Sequence, residues 1–490
     1  MKNGLQSGIT VYNNKEKPER SPTVKLSRQA LRAQERKRQK EHKKLIKHLE
    51  LSDFAYVADD SNMTFSAMGP QLVDFMKVIE LPKFLKDHVQ IEKRQSLYSP
   101  DTLSQLLILQ NILGYDRIEA SRPLDQDGIM KQKLKIKDYP DPETFRDELQ
   151  KYEQHNMGQL FFVNLKVLNV LCRLTEPQYV DLHFDSKVIT VYGDQQGAEE
   201  GYNPHKPGRK SYHLKVCTIE PFGFILAIQL EPGTSVSSTG FIEFYKNSLA
   251  AVPHNHFVVQ NVRLDRGFFS EDNIRAFEGD CLFFEVVAKK YSSIKRFIDS
   301  IAEEDLEAFY PDETIYGASF SFCLDSWEKP RDFVVVRKLV GHEDNGQGML
   351  FPKWHYQVIC HNQVDMSPQE VWEDYNQRAR TELNIRDLDY DHFITKVPTG
   401  IFLSNFAYFW HCVLSYNLVL IFKNFLLTGE WSKCRLSTLR KKLINVPGRL
   451  VNHSGKMVMR LIEGFPYLDI LESVKEQLIW LYQRLNPLPA

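Results

Sequence analysis

This sequence predicts an α/β protein with a helical N-terminal region, on three observations. Residues 66–175 carry helix-period apolar patterns, broken at Pro82, Pro100, Pro123 and the Pro140-Asp141-Pro142 turn. From about residue 178 the texture changes to short runs rich in Val, Ile, Phe and Tyr, with Gly and Pro turns between them. Helical stretches then interleave with those runs, the order that lays helices on the faces of one sheet.

Residues 1–25 mix Gly, Asn, Lys and Pro and are expected to be mobile. Residues 26–51 lack Gly and Pro and are rich in Arg, Lys, Gln and Leu, which predicts a basic helix. Residues 1–50 hold 14 Lys and Arg against 5 Asp and Glu, a net of +9; the whole chain is −1, which leaves −10 for the rest. Such asymmetry suits a basic arm that meets a polyanion, and equally a solvated tail.

In the helical region, Ser99-Pro100-Asp101-Thr102 is a helix start followed by an apolar face. Asp141-Pro142-Glu143-Thr144 opens another. Strands are expected at 179–192, 211–219, 223–230, 257–264 and 281–288, with short helices at 239–251 and 271–278. Three strands, helix, strand, helix, strand is the order of a ribonuclease-H-like sheet. Residues 291–309 read as helical. A further β cluster at 313–324, 331–340 and 354–360 looks like an insertion into the sheet region, before a long helix from 368 to about 386.

The most apolar stretch, 401–427, is interrupted by Asn405, His411, Asn417 and Lys423, so it reads as a buried helix and not a membrane span. Residues 435–460 hold basic strand-like stretches, and 469–485 is a closing amphipathic helix. At 490 residues the chain exceeds one ordinary core, so about three domains are expected. Their divisions fall at 1–60 (basic arm and helix, partly disordered), 61–175, 176–400 with the inserted β region at about 310–362, and 401–490.

Hydrophobic residues at 42% and charged residues at 26% are those of a soluble globular protein. Seven dispersed cysteines contain no Cys-x-x-Cys pair, which argues against a zinc knuckle and for a reducing cytoplasm. Lys2 is not followed by an apolar stretch, so no signal peptide is expected. No Gly-x-Gly-x-x-Gly, no P-loop and no Gly-x-Ser-x-Gly elbow occurs, so neither a nucleotide cofactor nor that type of serine hydrolase is supported.

Three acidic residues stand in contexts that suit metal-dependent phosphodiester chemistry, which needs about three carboxylates near two ions. Val180, Leu182 and Phe184 share one strand face; Asp181, His183 and Asp185 share the other. An aspartate in such an apolar strand is costly unless paired or bound to a cation, and Asp181 competes with Asp185 for the role. Asp265 closes the strand 257–264 and precedes Arg266-Gly267, which suits a ligand site at a strand end or an ordinary turn. On the long helix, Trp372, Tyr375, Arg378, Glu382, Arg386 and Asp389 recur at 3–4 spacing, so Glu382 is either a site residue or half of a loose i,i+4 pair. The loop Gly201-Tyr202-Asn203-Pro204-His205-Lys206-Pro207-Gly208-Arg209-Lys210-Ser211-Tyr212-His213 directly follows the Asp185 strand. Its cations Lys206, Arg209 and Lys210 suit a grip on a phosphate backbone more than a solvated hairpin.

These segments resemble the DDE transposases of bacterial insertion sequences, DDE-domain group 1. Asp185-Ser186-Lys187-Val188-Ile189-Thr190-Val191-Tyr192-Gly193 is similar to that family's Asp-Ser-Thr-Val-Ile-Thr-Val-Tyr-Gly. Residues 201–213 resemble its Gly-Tyr-Asn-Pro-Lys-Lys-x-Gly-Arg-x-Ser-Tyr-His. Arg263 to Phe268 resembles its Arg-x-Asp-x-Gly-Phe, and Tyr375, Arg378 and Glu382 its Tyr-x2-Arg-x3-Glu. The resemblance covers roughly residues 60–480. Two positions depart from the pattern: Lys187 stands where the family has Thr, and Asp389 where it has Lys seven residues after the glutamate.

The resemblance implies cut-and-paste transposition: cleavage at terminal inverted repeats and strand transfer into target DNA. Asp185, Asp265 and Glu382 would be the catalytic residues and hold two Mg²⁺ ions, for which Mn²⁺ can substitute. Tyr375, Arg378, Lys206, Arg209, Lys210, Arg266 and Lys187 would contact DNA. Segment 61–175 would be the DNA-end-binding domain, and 176–400 the catalytic domain. Partners would be double-stranded DNA and a second copy, as a homodimer on paired ends, in the cytoplasm at the nucleoid. The alternative is a catalytically inactive, transposase-derived protein that binds DNA ends.

Overall fold

The structure, a computed structural model, describes residues 27–487 apart from 51, 53, 55, 93–95, 313 and 345–349. The segment expected to be mobile, 1–25, lies outside the described residues. The chain divides into two compact units, Met1–Asp60 and Ser61–Ala490. In the first, helix α1 (Arg28–His48) starts at Ser27, whose hydroxyl accepts the Ala30 amide at 3.2 Å. It buries none of its side chains, so its many cations, and Leu31 and Leu45 with them, stay exposed.

The second unit begins with helices α2 (Gly69–Val78), α3 (Leu81–His88), α4 (Pro100–Leu113), α5 (Gly128–Leu134), α6 (Pro142–Leu149) and α7 (Gln154–Leu174). Proline sits in the first turn of α2, α3, α4 and α6. There the missing N–H has no helical partner to lose, so Pro82, Pro100 and Pro142, which break the pattern, serve as helix starts.

The sheet is built from β1 (Gln178–Thr190), β2 (Lys210–Glu220), β3 (Phe224–Pro232), β4 (Phe257–Leu264) and β5 (Phe283–Val287), with α8 (Phe241–Ala251) and α9 (Glu271–Gly279) between the later strands. Their order across the sheet is β3-β2-β1-β4-β5. β1, β2 and β3 pair antiparallel, and β4 and β5 run parallel to β1. This is the ribonuclease-H-like arrangement expected from the order of elements.

The inserted strands β6 (Ile315–Phe322), β7 (Arg331–Asp344) and β8 (Leu350–His361) extend this same sheet. β8 pairs antiparallel with β5, Cys360 opposite Val286. The stretch 291–309 is not one helix. α10 (Ser292–Ile298) stops where the Ser300 hydroxyl donates to the Phe297 carbonyl, and Glu307–Ala308 then pairs with β6.

The expected single helix from 368 is two, α11 (Pro368–Asn376) and α12 (Ala379–Tyr390). At the break the amides of Arg378, Arg380 and Thr381 each reach back three residues, to Tyr375, Gln377 and Arg378. Those three-residue bonds replace the four-residue α-helical ones at the break.

Helix α13 (Phe402–Leu426) packs against α4, α7 and β3 and is buried along nearly its whole length. Helices α7 and α13 are both long and apolar enough to cross a membrane, but α13 is a core helix here. Two of its interrupting polar residues, Asn417 and Asn405, are satisfied inside: Asn417 Oδ1 accepts the Ile225 amide at 2.9 Å and its Nδ2 donates to Asn164 Oδ1 at 2.8 Å. Asn405 Oδ1 accepts the Thr399 amide at 3.0 Å, and His411 Nδ1 lies 2.7 Å from the Ala407 carbonyl. Residues 435–460 begin as helical turns (Leu436–Leu439, Arg440–Ile444) and only then form the strands Gly448–His453 and Lys456–Arg460. The amphipathic helix Leu468–Leu485 closes the chain against α2, α7 and α13.

Among the described residues, most buried apolar side chains from Met68 to Leu485 form one large cluster, and a smaller one gathers Phe309, Ile315, Val334, Val336, Ile359, Val371 and Tyr375. The expected divisions at 175 and 400 fall inside the second unit.

Candidate active site

β1 and β4 lie side by side with Phe184 opposite Leu264. The residue after each is an aspartate, so parallel register carries Asp185 and Asp265 to neighbouring positions on one sheet. Asp185 Oδ1 accepts the Ser186 amide at 2.7 Å, and the Ser186 and Ser237 hydroxyls are 2.9 Å apart. Asp265 Oδ1 accepts the Gly267 amide at 2.8 Å. A Cβ on Gly267 would stand 2.6 Å from the Ser237 hydroxyl, so glycine lets the two loops close on each other. α12 is tied to β1 by His183 Nδ1 and Thr381 Oγ1, 2.9 Å apart, which brings Glu382 to the same place. Asp185, Asp265 and Glu382 thereby line one cleft of about 630 Å³, with His205, Arg266 and Lys289 on its walls.

Arg378 dominates the electrostatics. Its guanidinium lies 2.8 Å from Asp185 Oδ2 and 2.8 Å from Glu382 Oε1. Burial pushes the Asp185 carboxyl up to about 6; Arg378 opposes this, while Asp265 and Glu382 add to it. Burial also opposes the Arg378 cation, but Asp185, Tyr375, Asp265 and Glu382 together outweigh it and raise its pKa. Among the described residues, no three His, Cys, Asp or Glu side chains are drawn together as a ready ligand set for a metal. The donor chemistry still fits a hard divalent cation: the three carboxylates face one cleft, and the two others each disfavour charge on Asp185. Arg378 supplies the positive charge they share.

Asp181, the competitor, is held elsewhere. Arg263 reaches Asp181 at 2.5 Å, Glu285 at 2.7 Å and Asp374 at 2.6 Å. Arg263 Nη1 also lies 3.0 Å from His183 Nε2. This buried clamp joins β1, β4, β5 and α11 beneath the cleft. Burial raises the Glu285 carboxyl well above its usual range, partly offset by Arg263.

The residues expected to contact DNA divide. Lys206, Arg209 and Arg266 are exposed. Lys206 lies 2.6 Å from the Tyr192 hydroxyl, and Lys210 pairs with Asp194 at 2.7 Å. Arg378 is buried against the carboxylates rather than presented on a surface. Tyr375 is only 6% exposed and packs in a cluster with Phe309, Val334, Val336 and Ile359. Its ring therefore wedges α11 against the inserted strands instead of offering a face to a base.

The two departures from the family pattern meet. Lys187 Nζ lies 2.6 Å from Asp389 Oδ2, and the Thr395 hydroxyl donates to Asp389 Oδ1 at 2.7 Å. Where the family pattern has a neutral Thr on the strand and a Lys on the helix, this chain has a cation on β1 and an anion on α12, joined as an ion pair.

Two more residues line the cleft: Ser237 carried no distinguishing sequence signal, whereas His213 closes the 201–213 motif. Ser237 reaches the site only through the turn before α8. His213, on β2, lines the cleft with its imidazole neutral, because burial pushes it down to about 4.

The family whose description is "Transposase DDE domain group 1" matches residues 57–483. No curated protein matches the chain. Among solved structures, a piggyBac transposase synaptic complex with hairpin DNA is similar over 78% of this chain and 80% of that one, at 12% identity and a TM-score of 0.40. A Mos1 transposase paired-end complex matches over 44% of this chain and 75% of that one, at 13% identity and a TM-score of 0.16.

Proposed function

The chain belongs to the transposase DDE domain group 1 family, and on that premise we propose that it cuts DNA at the terminal inverted repeats of an insertion sequence and joins the ends to target DNA. The observation that carries the reading is the parallel register of β1 and β4, with Asp185 and Asp265 following its last pair and Glu382 lining the same cleft.

Asp185, Asp265 and Glu382 are the residues that would hold two Mg²⁺ or Mn²⁺ ions. When bound, such ions make water or a DNA 3′-hydroxyl a better nucleophile and neutralise charge on the leaving oxygen. The chain's own part is positioning. Arg378 keeps Asp185 and Glu382 facing each other and balances their charge until substrate enters. Arg266 and Lys187 stand on the cleft wall where phosphate oxygens would lie, and Lys206, Arg209 and Lys210 offer further backbone contacts from the adjoining loop. Much of the affinity for duplex DNA would come from such contacts and from the basic helix α1, and would fall steeply with salt. Two ends must be cut and joined, which calls for two copies of the site and hence a homodimer on paired ends, acting in the cytoplasm at the nucleoid. Because Arg378 now ties up two of the three carboxylates, an end-binding protein without catalysis is the second reading.

The test uses labelled DNA carrying the element's ends, with Mg²⁺ or Mn²⁺, beside Asp185→Ala and Glu382→Ala. Cleavage at the repeat ends by wild type alone supports the transposase reading. End binding without cleavage in either metal replaces it with the second.

A further inference from the structure

Beside the carboxylate cleft lies a second, of about 740 Å³, and the two share Lys187, Val188 and His205 on their walls. Its acidic residues already have partners. Glu119 is paired with Arg146, and Asp389 is held by Lys187 and Thr395. Two cations remain with only loose contacts, Arg117 at 3.9 Å and Lys396 at 3.8 Å from Asp116. Three tyrosines line the same cleft; Tyr408 is buried, while Tyr192 and Tyr390 are each 65% exposed. Lys206 lies over the Tyr192 ring, 5.2 Å from its centroid. Exposed aromatic rings beside cations are the two parts of a surface for unpaired nucleic acid: rings for bases, cations for phosphates. A space of this volume has the size of a small-molecule pocket and takes part of one strand, not a duplex.

We infer that this cleft binds a single DNA strand continuing from the cleavage site, with bases stacked on Tyr192 and Tyr390 and phosphates on Arg117, Lys396 and, at the junction of the clefts, Lys187. The inference rests on the transposase reading for what passes through the first cleft. Asp389 and Thr395 hold Lys187 at the junction, where the strand crosses from one cleft to the other.

The probe is a 12-nucleotide oligo-dT carrying one 2-aminopurine, titrated into the full chain at several salt concentrations. Wild type is expected to bind it and to quench its fluorescence by stacking. Arg117→Ala with Lys396→Ala should weaken binding at least tenfold and make the log–log salt slope shallower by about 1.4, two single-strand phosphate contacts. Tyr390→Phe should keep the quench and Tyr390→Ala lose most of it. The basic helix α1 cannot supply this signal, since Arg28–His48 contains no Phe, Trp or Tyr. Equal slopes and quenching in wild type and variants, or no binding by wild type, overturn the strand site. Duplex cleavage is measured alongside. Cleaved repeat ends with no oligonucleotide binding sink the strand site alone, whereas oligonucleotide binding without cleavage sinks the catalytic reading alone.

Discussion

Arg378 bridges Asp185 and Glu382, 2.8 Å from a carboxylate oxygen of each. One of these carboxylates is buried and the other is open, with the Glu382 side chain 62% exposed. Asp185 therefore depends on the bridge far more than Glu382 does. Arg378→Ala should cost about 3–5 kcal/mol, the usual loss when a buried ion pair loses one partner. Added Mg²⁺ should raise the melting temperature of the variant more than that of wild type. Thermal unfolding with and without Mg²⁺ checks both; a variant as stable as wild type refutes the clamp.

Asp181→Asn and Asp185→Asn should behave differently, because Arg263 holds the first and the cleft receives the second. Asp181→Asn should keep cleavage within about tenfold. Asp185→Asn should lose on the order of 100- to 10,000-fold, the several kcal/mol that metal-assisted chemistry supplies. Arg263→Leu should fail at the level of folding, since it strands Asp181, Glu285 and Asp374 together. Single-turnover cleavage rates and urea unfolding separate these outcomes.

Glu220 predicts a pH dependence. Burial pushes its carboxyl up to about 7, against hydrogen bonding from Thr218 and the charge of Arg380. A carboxyl whose folded pKa is raised binds its proton more tightly when folded, so its stabilising effect is complete below about pH 4.5 and is lost as pH rises through 7. Glu220→Gln should match wild type near pH 4.5 and exceed it at pH 8, by up to ~3 kcal/mol. Parallel stability curves for the two proteins across that range would disprove the assignment.

Tyr375 should prove a packing residue. Tyr375→Ala should cost about 3–5 kcal/mol, as for other large aromatic truncations in a core. Tyr375→Phe keeps the ring and should leave both DNA binding and cleavage within twofold of wild type. A large loss of DNA affinity in the Phe variant, with stability intact, would return Tyr375 to the DNA surface.

Much of the fold could be read locally. The alternation around Asp185, the apolar strand ending at Asp265 and the proline-marked helix starts are carried by contiguous residues, and each maps onto an element. The burial of α13 was legible because its polar residues are too few and too scattered to make a solvent face. The break at Gln377 was not legible. The apolar spacing continues across it, and only the three-residue hydrogen bonds of the folded chain reveal the turn. The long inserted hairpin could be found, but not its attachment to the main sheet edge, which depends on β5 presenting an open edge.

The amino-acid order alone was enough to specify the class of sheet and its three acidic segments, because side-chain period and turn chemistry act over a few residues. Tertiary structure decided which charges meet. It paired Asp181 with Arg263, Asp185 with Arg378, and Lys187 with Asp389. It also buried the Tyr375 ring against the inserted strands. The energy of a buried charge or ring is set by what stands within a few ångström, and here those neighbours come from residues far apart in sequence, as Lys187 and Asp389 do.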